Sequence, residues 1–89
     1  MREAINLLDV VALTEDIGPA ALRGGFVEDP PARGLVKGQV GTVVEVYGDP
    51  PEAYEVEFVD HEGETYALLT LRNDQFLLLH YEPVGASVA

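Results

Sequence analysis

Lys37-Gly38-Gln39-Val40-Gly41-Thr42-Val43-Val44-Glu45-Val46-Tyr47, followed shortly by Tyr54-Glu55-Val56-Glu57-Phe58-Val59, is the stretch that decides the fold. Two glycines lead into segments rich in β-branched and aromatic residues with alternating polarity, the pattern of half-buried strands. Side chains at i and i+2 share a face of a sheet. Thr42, Val44 and Val46 are therefore expected on one face, and Tyr54, Val56 and Phe58 on one face of the next strand. With both sets inward, antiparallel pairing sets Val44 near Val56 or Phe58 and leaves Glu45, Glu55 and Glu57 in solvent. A slip by one residue would carry glutamates into the core, so burial fixes the register. Gly38 and Gly41 are read as supplying backbone angles closed to other residues. Together these features predict a small antiparallel β-barrel.

The flanking sequence completes about five strands. Leu8-Asp9-Val10-Val11-Ala12-Leu13 reads as the first, preceded by one helical turn over Arg2–Leu7. Between Ile17 and Gly34 fall Gly18, Pro19, Gly24, Gly25, Pro30 and Pro31, a density of breakers that specifies one long loop after strand 1. Gly48-Asp49-Pro50-Pro51-Glu52-Ala53 is a turn-rich connection too long for a two-residue hairpin, and Asp60-His61-Glu62-Gly63 is a tighter turn with Gly63 suited to positive φ. Thr65–Leu71 and Phe76–Tyr81 follow as strands with apolar residues on both faces. Such strands need two covers: the barrel interior, and either another part of the chain or a partner. The reading is one domain over residues 1–83, with a frayed tail at 84–89.

Composition sets the bounds on function. Eighty-nine residues make one domain, expected to bury roughly 60–65% of its unfolded surface. With 47% hydrophobic residues the chain has a real core, and with no cysteine its stability rests on packing alone. The N-terminus mixes acids into a short apolar stretch and lacks the sustained run of a secretory signal, so a cytoplasmic location is expected, with no membrane association. Sixteen acidic against five basic residues give a formal charge of −11, which repels phosphate backbones and anionic lipid. The expected partner is a protein, basic or a second copy of the chain, and not a nucleic acid.

Five short strands with a long loop after the first match the order of an SH3-like barrel. In detail, the segments Asp9–Leu13, Gly34–Tyr47, Tyr54–Asp60 and Ala67–Leu71 resemble the bacterial family called domain of unknown function 4926, over roughly Leu8 to Leu79. The resemblance implies the barrel and brings no established activity with it. This chain departs from the short form of that pattern in its proline-rich loop before Gly34 and its acidic loop at Gly48–Ala53. A looser similarity runs to the KOW element of ribosomal and transcription proteins, through Lys37-Gly38-Gln39-Val40-Gly41-Thr42-Val43-Val44. RNA binding calls for clustered basic residues with stacking aromatics. Arg2, Arg23, Arg33, Lys37 and Arg72 are scattered instead.

No catalytic constellation emerges. Ser87 is the lone serine and sits in the tail, and Thr14, Thr42, Thr65 and Thr70 fit ordinary strand or cap positions. Asp60-His61-Glu62-Gly63-Glu64 gathers one imidazole and three carboxylates, with His80 and Glu82 further on, but no known ligand spacing for zinc or calcium is met, and a solvated acidic turn is the reading. No metal, cofactor or catalytic residue is assigned. The sequence therefore points to a non-enzymatic, acidic SH3-like protein-binding module, in one form an antitoxin-like or immunity-like protein masking a basic surface. The alternative is a KOW-like nucleic-acid or ribosome-associated module. Partner-binding residues are expected among Glu52, Glu55, Glu57, Phe76, Leu78 and Tyr81.

Overall fold

The computed structural model describes residues 4–22 and 31–80. They form five strands and one short 3₁₀ turn: β1 (Val10–Leu13), the turn Pro19–Ala21, β2 (Val40–Tyr47), β3 (Ala53–Val59), β4 (Thr65–Leu71) and β5 (Phe76–Leu78). All pairings are antiparallel, in the order β4-β3-β2-β1-β5. On that order β3 and β5 stand three strand spacings apart, about 14 Å in a flat sheet. Yet the rings of Tyr54 on β3 and Phe76 on β5 meet edge to face, centroids 5.4 Å apart and planes at 86°. The sheet is therefore curled into the expected small SH3-like barrel. Among the described residues no helix is long and apolar enough to cross a membrane.

The core takes one face of every strand: Val11 and Leu13 from β1, Val43 from β2, Tyr54, Val56 and Phe58 from β3, Ala67, Leu69 and Leu71 from β4, and Phe76 from β5. In β2 the inward valine is Val43, opposite Val56, and not Val44. The cause is a bulge. Thr42 pairs with Glu57 and Val43 with Val56, but the next pair is Glu45 with Glu55, so Val44 is an extra residue without a partner on β3. Simple alternation holds up to Val43, breaks at Val44, and resumes with Val46 packing partly against the core. A second irregularity lies between Phe58 and Val59, where Tyr66 of β4 is passed over.

The two glycines before β2 differ in their reasons. Gly38 is the third residue of the turn Val36–Gln39, closed by the Gln39 amide donating to the Val36 carbonyl (3.1 Å), and its φ of +96° is what a type II turn asks there. Gly41 has no positive φ, contrary to the expectation; it is needed for space. A Cβ there would lie 2.7 Å from Val56 Cγ1, 2.9 Å from the Glu57 carbonyl oxygen and 2.9 Å from Phe58 Cε2. Gly63, at φ +85°, takes the conformation expected of it.

The long loop is clamped at its base. Ile17 and Leu35 form an antiparallel bridge with amide-to-carbonyl bonds of 2.8 Å in both directions, and both side chains are buried in the core. Asp16 Oδ1 accepts the Lys37 amide at 2.8 Å just outside it. The predicted helical turn over Arg2–Leu7 is replaced, in its described part, by a turn at Leu7-Leu8, which the Asn6 amide closes onto Asp9 Oδ2 (2.8 Å). The predicted tail at 84–89 lies outside the described residues.

Urea denaturation should separate these effects. Phe58→Ala should cost about 3–5 kcal/mol, since the ring is fully buried. Gly41→Ala should cost about 1–3 kcal/mol by overpacking. Gly38→Ala should cost about 1–2 kcal/mol from the left-handed conformation alone. Asn tolerates that conformation, so Gly38→Asn should recover part of the loss while Gly41→Asn should be worse than Gly41→Ala.

Candidate binding face on the outside of the barrel

The inward sets leave an outer face that the register defines residue by residue. Ala12 of β1 pairs with Val40 of β2 on one side and Leu77 of β5 on the other, giving an outward row of three aliphatic side chains. The next outward row begins with Val10 opposite Thr42, and the Leu79 amide donates to the Val10 carbonyl at 2.9 Å. Beyond it the Leu8 amide donates to the Val43 carbonyl at 2.7 Å, which seats Leu8 beside the bulged Val44. The result is an aliphatic ledge on β2, β1 and β5. Its ends are exposed, Leu8 at 74%, Leu77 at 52% and Val40 at 46%, with Val44 also exposed, while Val10 and Ala12 between them are half-buried. Leu8 also holds φ +70°, a left-handed conformation uncommon for a side chain of that size.

Along one border of the ledge the face turns acidic. Glu57 is Thr42's partner on β3, and Glu55 faces Glu45 of β2. The solvated stripe expected from Glu45, Glu55 and Glu57 is only partly that. Glu45 is exposed, Glu57 is half-buried, and Glu55 is only 5% exposed. The correction follows from neighbours on β2 and β4. Glu55 Oε1 accepts hydrogen bonds from the Thr70 hydroxyl (2.8 Å) and the Tyr47 hydroxyl (3.3 Å), and Glu57 Oε2 accepts one from the Thr65 hydroxyl (2.6 Å). Hydroxyl donors thus replace water around carboxylates that have a strand on either side. Among the basic side chains described, Arg72 is engaged by Asp74 at 3.1 Å, on the turn before β5.

Of the residues expected to bind a partner, Glu55 and Glu57 share this face. Glu52 is exposed in the β2–β3 connection, where its amide donates to the Tyr47 carbonyl (2.8 Å). Phe76 is spent in the core against Tyr54, Leu78 is half-buried opposite Val11, and Tyr81 lies outside the described residues. In β5 the residue presented outward is Leu77. Sequence reasoning missed Leu77 because Phe76-Leu77-Leu78-Leu79 is apolar without interruption. It missed Leu8, Val10 and Ala12 although Leu8–Leu13 is as two-faced as β4 and β5.

The acidic turn is occupied with itself. Asp60 Oδ1 accepts the amides of Glu62 (2.9 Å) and Glu64 (3.0 Å), an arrangement that shapes the turn. Among the described residues no three of His, Cys, Asp and Glu converge to hold a metal ion.

A family model described as a domain of unknown function (DUF4926) matches residues 7–78. No curated protein and no solved structure matches the chain.

The contrast between Glu45 and Glu55 is measurable. Like charges directly opposite on neighbouring strands repel, and opposite charges there attract. Glu45→Lys should therefore raise stability by up to about 1 kcal/mol. Glu55→Ala should lower it by about 1–2 kcal/mol, since two hydroxyls lose their acceptor. Equal effects in thermal denaturation would contradict the burial difference.

Proposed function

We propose a binding role from the premise that this chain belongs to the domain of unknown function 4926 family, a membership that assigns it no activity. The protein is a non-enzymatic module that docks another protein on the outside of its barrel. The observation that carries this reading is the aliphatic ledge in which Leu8, Val40 and Leu77 are exposed around half-buried Val10 and Ala12, bordered on one side by Glu45 and Glu57. Exposed aliphatic groups in a contiguous row mark interaction surfaces. The net charge of −11 selects a basic partner and speeds its approach. The specific form we favour is masking: carboxylates spaced along a strand stand in for phosphates, and an apolar ledge beside them supplies affinity. That is how an antitoxin-like or immunity-like protein would silence a partner that handles nucleic acid.

Affinity-capture from the native extract with wild-type protein and two variants tests this. One basic protein should be retained by the wild type, and its capture should weaken as salt rises, because exposed charges are screened beyond about 8–10 Å at ordinary ionic strength. Leu77→Asp should lose it at every salt concentration. Glu45→Lys should weaken capture while the fold becomes no less stable. Retention of the same protein by Leu77→Asp would remove the ledge from the reading. A titration with mixed RNA and DNA at about 50 mM salt, where backbone contacts are strongest, should show no binding; a dissociation constant below about 10 μM would replace the reading with the nucleic-acid one.

A further inference from the structure

We propose that the partner docks by adding a short extended segment to the outer edge of β5 as a sixth, antiparallel strand, with aliphatic residues beside Leu77 and Leu79 and a basic one toward Glu15. The inference rests on the docking reading above and deepens it.

The ladder between β1 and β5 fixes which backbone groups point to the open edge. Ala12 is paired with Leu77, the Thr14 amide donates to the Gln75 carbonyl at 3.0 Å, and the Leu79 amide donates to the Val10 carbonyl at 2.9 Å. Gln75, Leu77 and Leu79 therefore turn their backbone groups toward β1. In an antiparallel ladder the residues between them, Phe76 and Leu78, turn theirs the other way. β5 ends the sheet, and among the described residues the amides and carbonyls of Phe76 and Leu78 meet no partner on that side. Such a row is a template for a further strand, and an extended segment placed there satisfies its own backbone as it binds.

The opposite end of the sheet, β4, is longer but differently furnished. Its Thr65 and Thr70 hydroxyls are turned to Glu57 and Glu55 of β3, and Tyr66 is passed over in the pairing. An irregularity of that kind discourages edge pairing. β5 instead carries an outer row continuous with the ledge, since Ala12 and then Val40 stand in line with Leu77. A strand on the open edge sets its own outward side chains one strand spacing, about 4.8 Å, from that row.

Three positions specify the segment, because Gln75, Leu77 and Leu79 share the outer face by alternation. Beside exposed Leu77 an aliphatic residue extends the row Val40, Ala12, Leu77, and beside half-buried Leu79 a second one does the same. At the Gln75 end charge takes over. Gln75 Nε2 donates to Glu15 Oε2 at 3.3 Å, and Glu15 and Asp74 are both exposed. Arg72 already engages Asp74 at 3.1 Å, so Glu15 is the carboxylate offered to a lysine or arginine. The net charge of −11 acts with the same sign over longer range.

The test uses the full-length protein and a synthetic heptapeptide, blocked at both ends, with leucine, leucine and lysine at its second, fourth and sixth residues and threonine elsewhere. In the free protein the Phe76 and Leu78 amides should exchange quickly with solvent while those of Leu77 and Leu79 exchange slowly; the peptide should slow the first pair. N-methylation of the third and fifth residues, whose amides face β5 in an antiparallel pairing, should weaken binding at least about tenfold, or about 1.4 kcal/mol. The same modification at the fourth and sixth should change it less than about threefold. Leu78→Pro removes an outward donor and spares the ladder to β1, so it should lose about tenfold in affinity where Leu78→Ala does not. Phe76 and Leu78 amides already protected in dilute free protein would show the edge covered by the chain itself and overturn the proposal. Protection that grows with protein concentration would assign the edge to a second copy and overturn it too. Equal losses from the two N-methylated peptides, or no protection at about 1 mM peptide, would overturn the added strand, the docking reading then being decided by capture with Leu77→Asp.

Discussion

Everything distinctive about this barrel depends on one extra residue in β2. Because Val44 has no partner on β3, the strand changes phase there: Val43 closes the core against Val56, and Val44 and Glu45 both come to the outside. Without the bulge, β2 would keep strict alternation, and the strand could not serve β1 with one half and β3 with the other while bending between them. The core and the outer face are thus settled by the same irregularity. The aliphatic ledge passes into the acidic border where the bulge lies, at Val44 and Glu45.

Much of the architecture was legible because it is local. Alternation in Tyr54–Val59 placed Tyr54, Val56 and Phe58 inside, and the breakers between Ile17 and Gly34 marked the loop. What was not legible had a non-local cause. No signal in Thr42-Val43-Val44-Glu45 says which valine is extra, since both are apolar and β-branched. Glu55 reads as a solvated residue until Thr70, fifteen positions away, is known to stand beside it with a hydroxyl. Gly41 reads as a turn residue until Val56 and Phe58 are known to fill the space a Cβ would need there. The proposed binding face was half legible for a similar reason: the acids that border it were named, but runs such as Phe76–Leu79 carry no period from which to tell Leu77 from Leu78.

Hydrogen bonding of several acids helps so acidic a chain remain folded. Five of its sixteen acidic side chains fill two roles. Asp9 and Asp60 accept backbone amides in turns and Asp16 one across the base of the loop, while Glu55 and Glu57 accept hydroxyls across strands. Each such bond offsets part of the repulsion that comes with net charge. Glu45 stands outside that scheme, exposed and opposite another glutamate. At such a position, beside an exposed apolar surface, stability and the proposed recognition ask for different residues.

The Ile17–Leu35 bridge has a further meaning for how this fold accommodates change. Counted along the chain, β1 and β2 are joined by a long excursion; counted through the bridge, only the short arms from Thr14 to Ile17 and from Leu35 to Gln39 connect them. The bridge, not the whole excursion, closes the path between the two strands. Doubling the length of such a closed loop costs only about 0.6 kcal/mol in closure entropy. The barrel closes through the bridge whatever the length of the interval, while Leu22, packed against the core, and Gly34, whose Cβ would collide with the Ile17 carbonyl, stay bound to what the core and the clamp require.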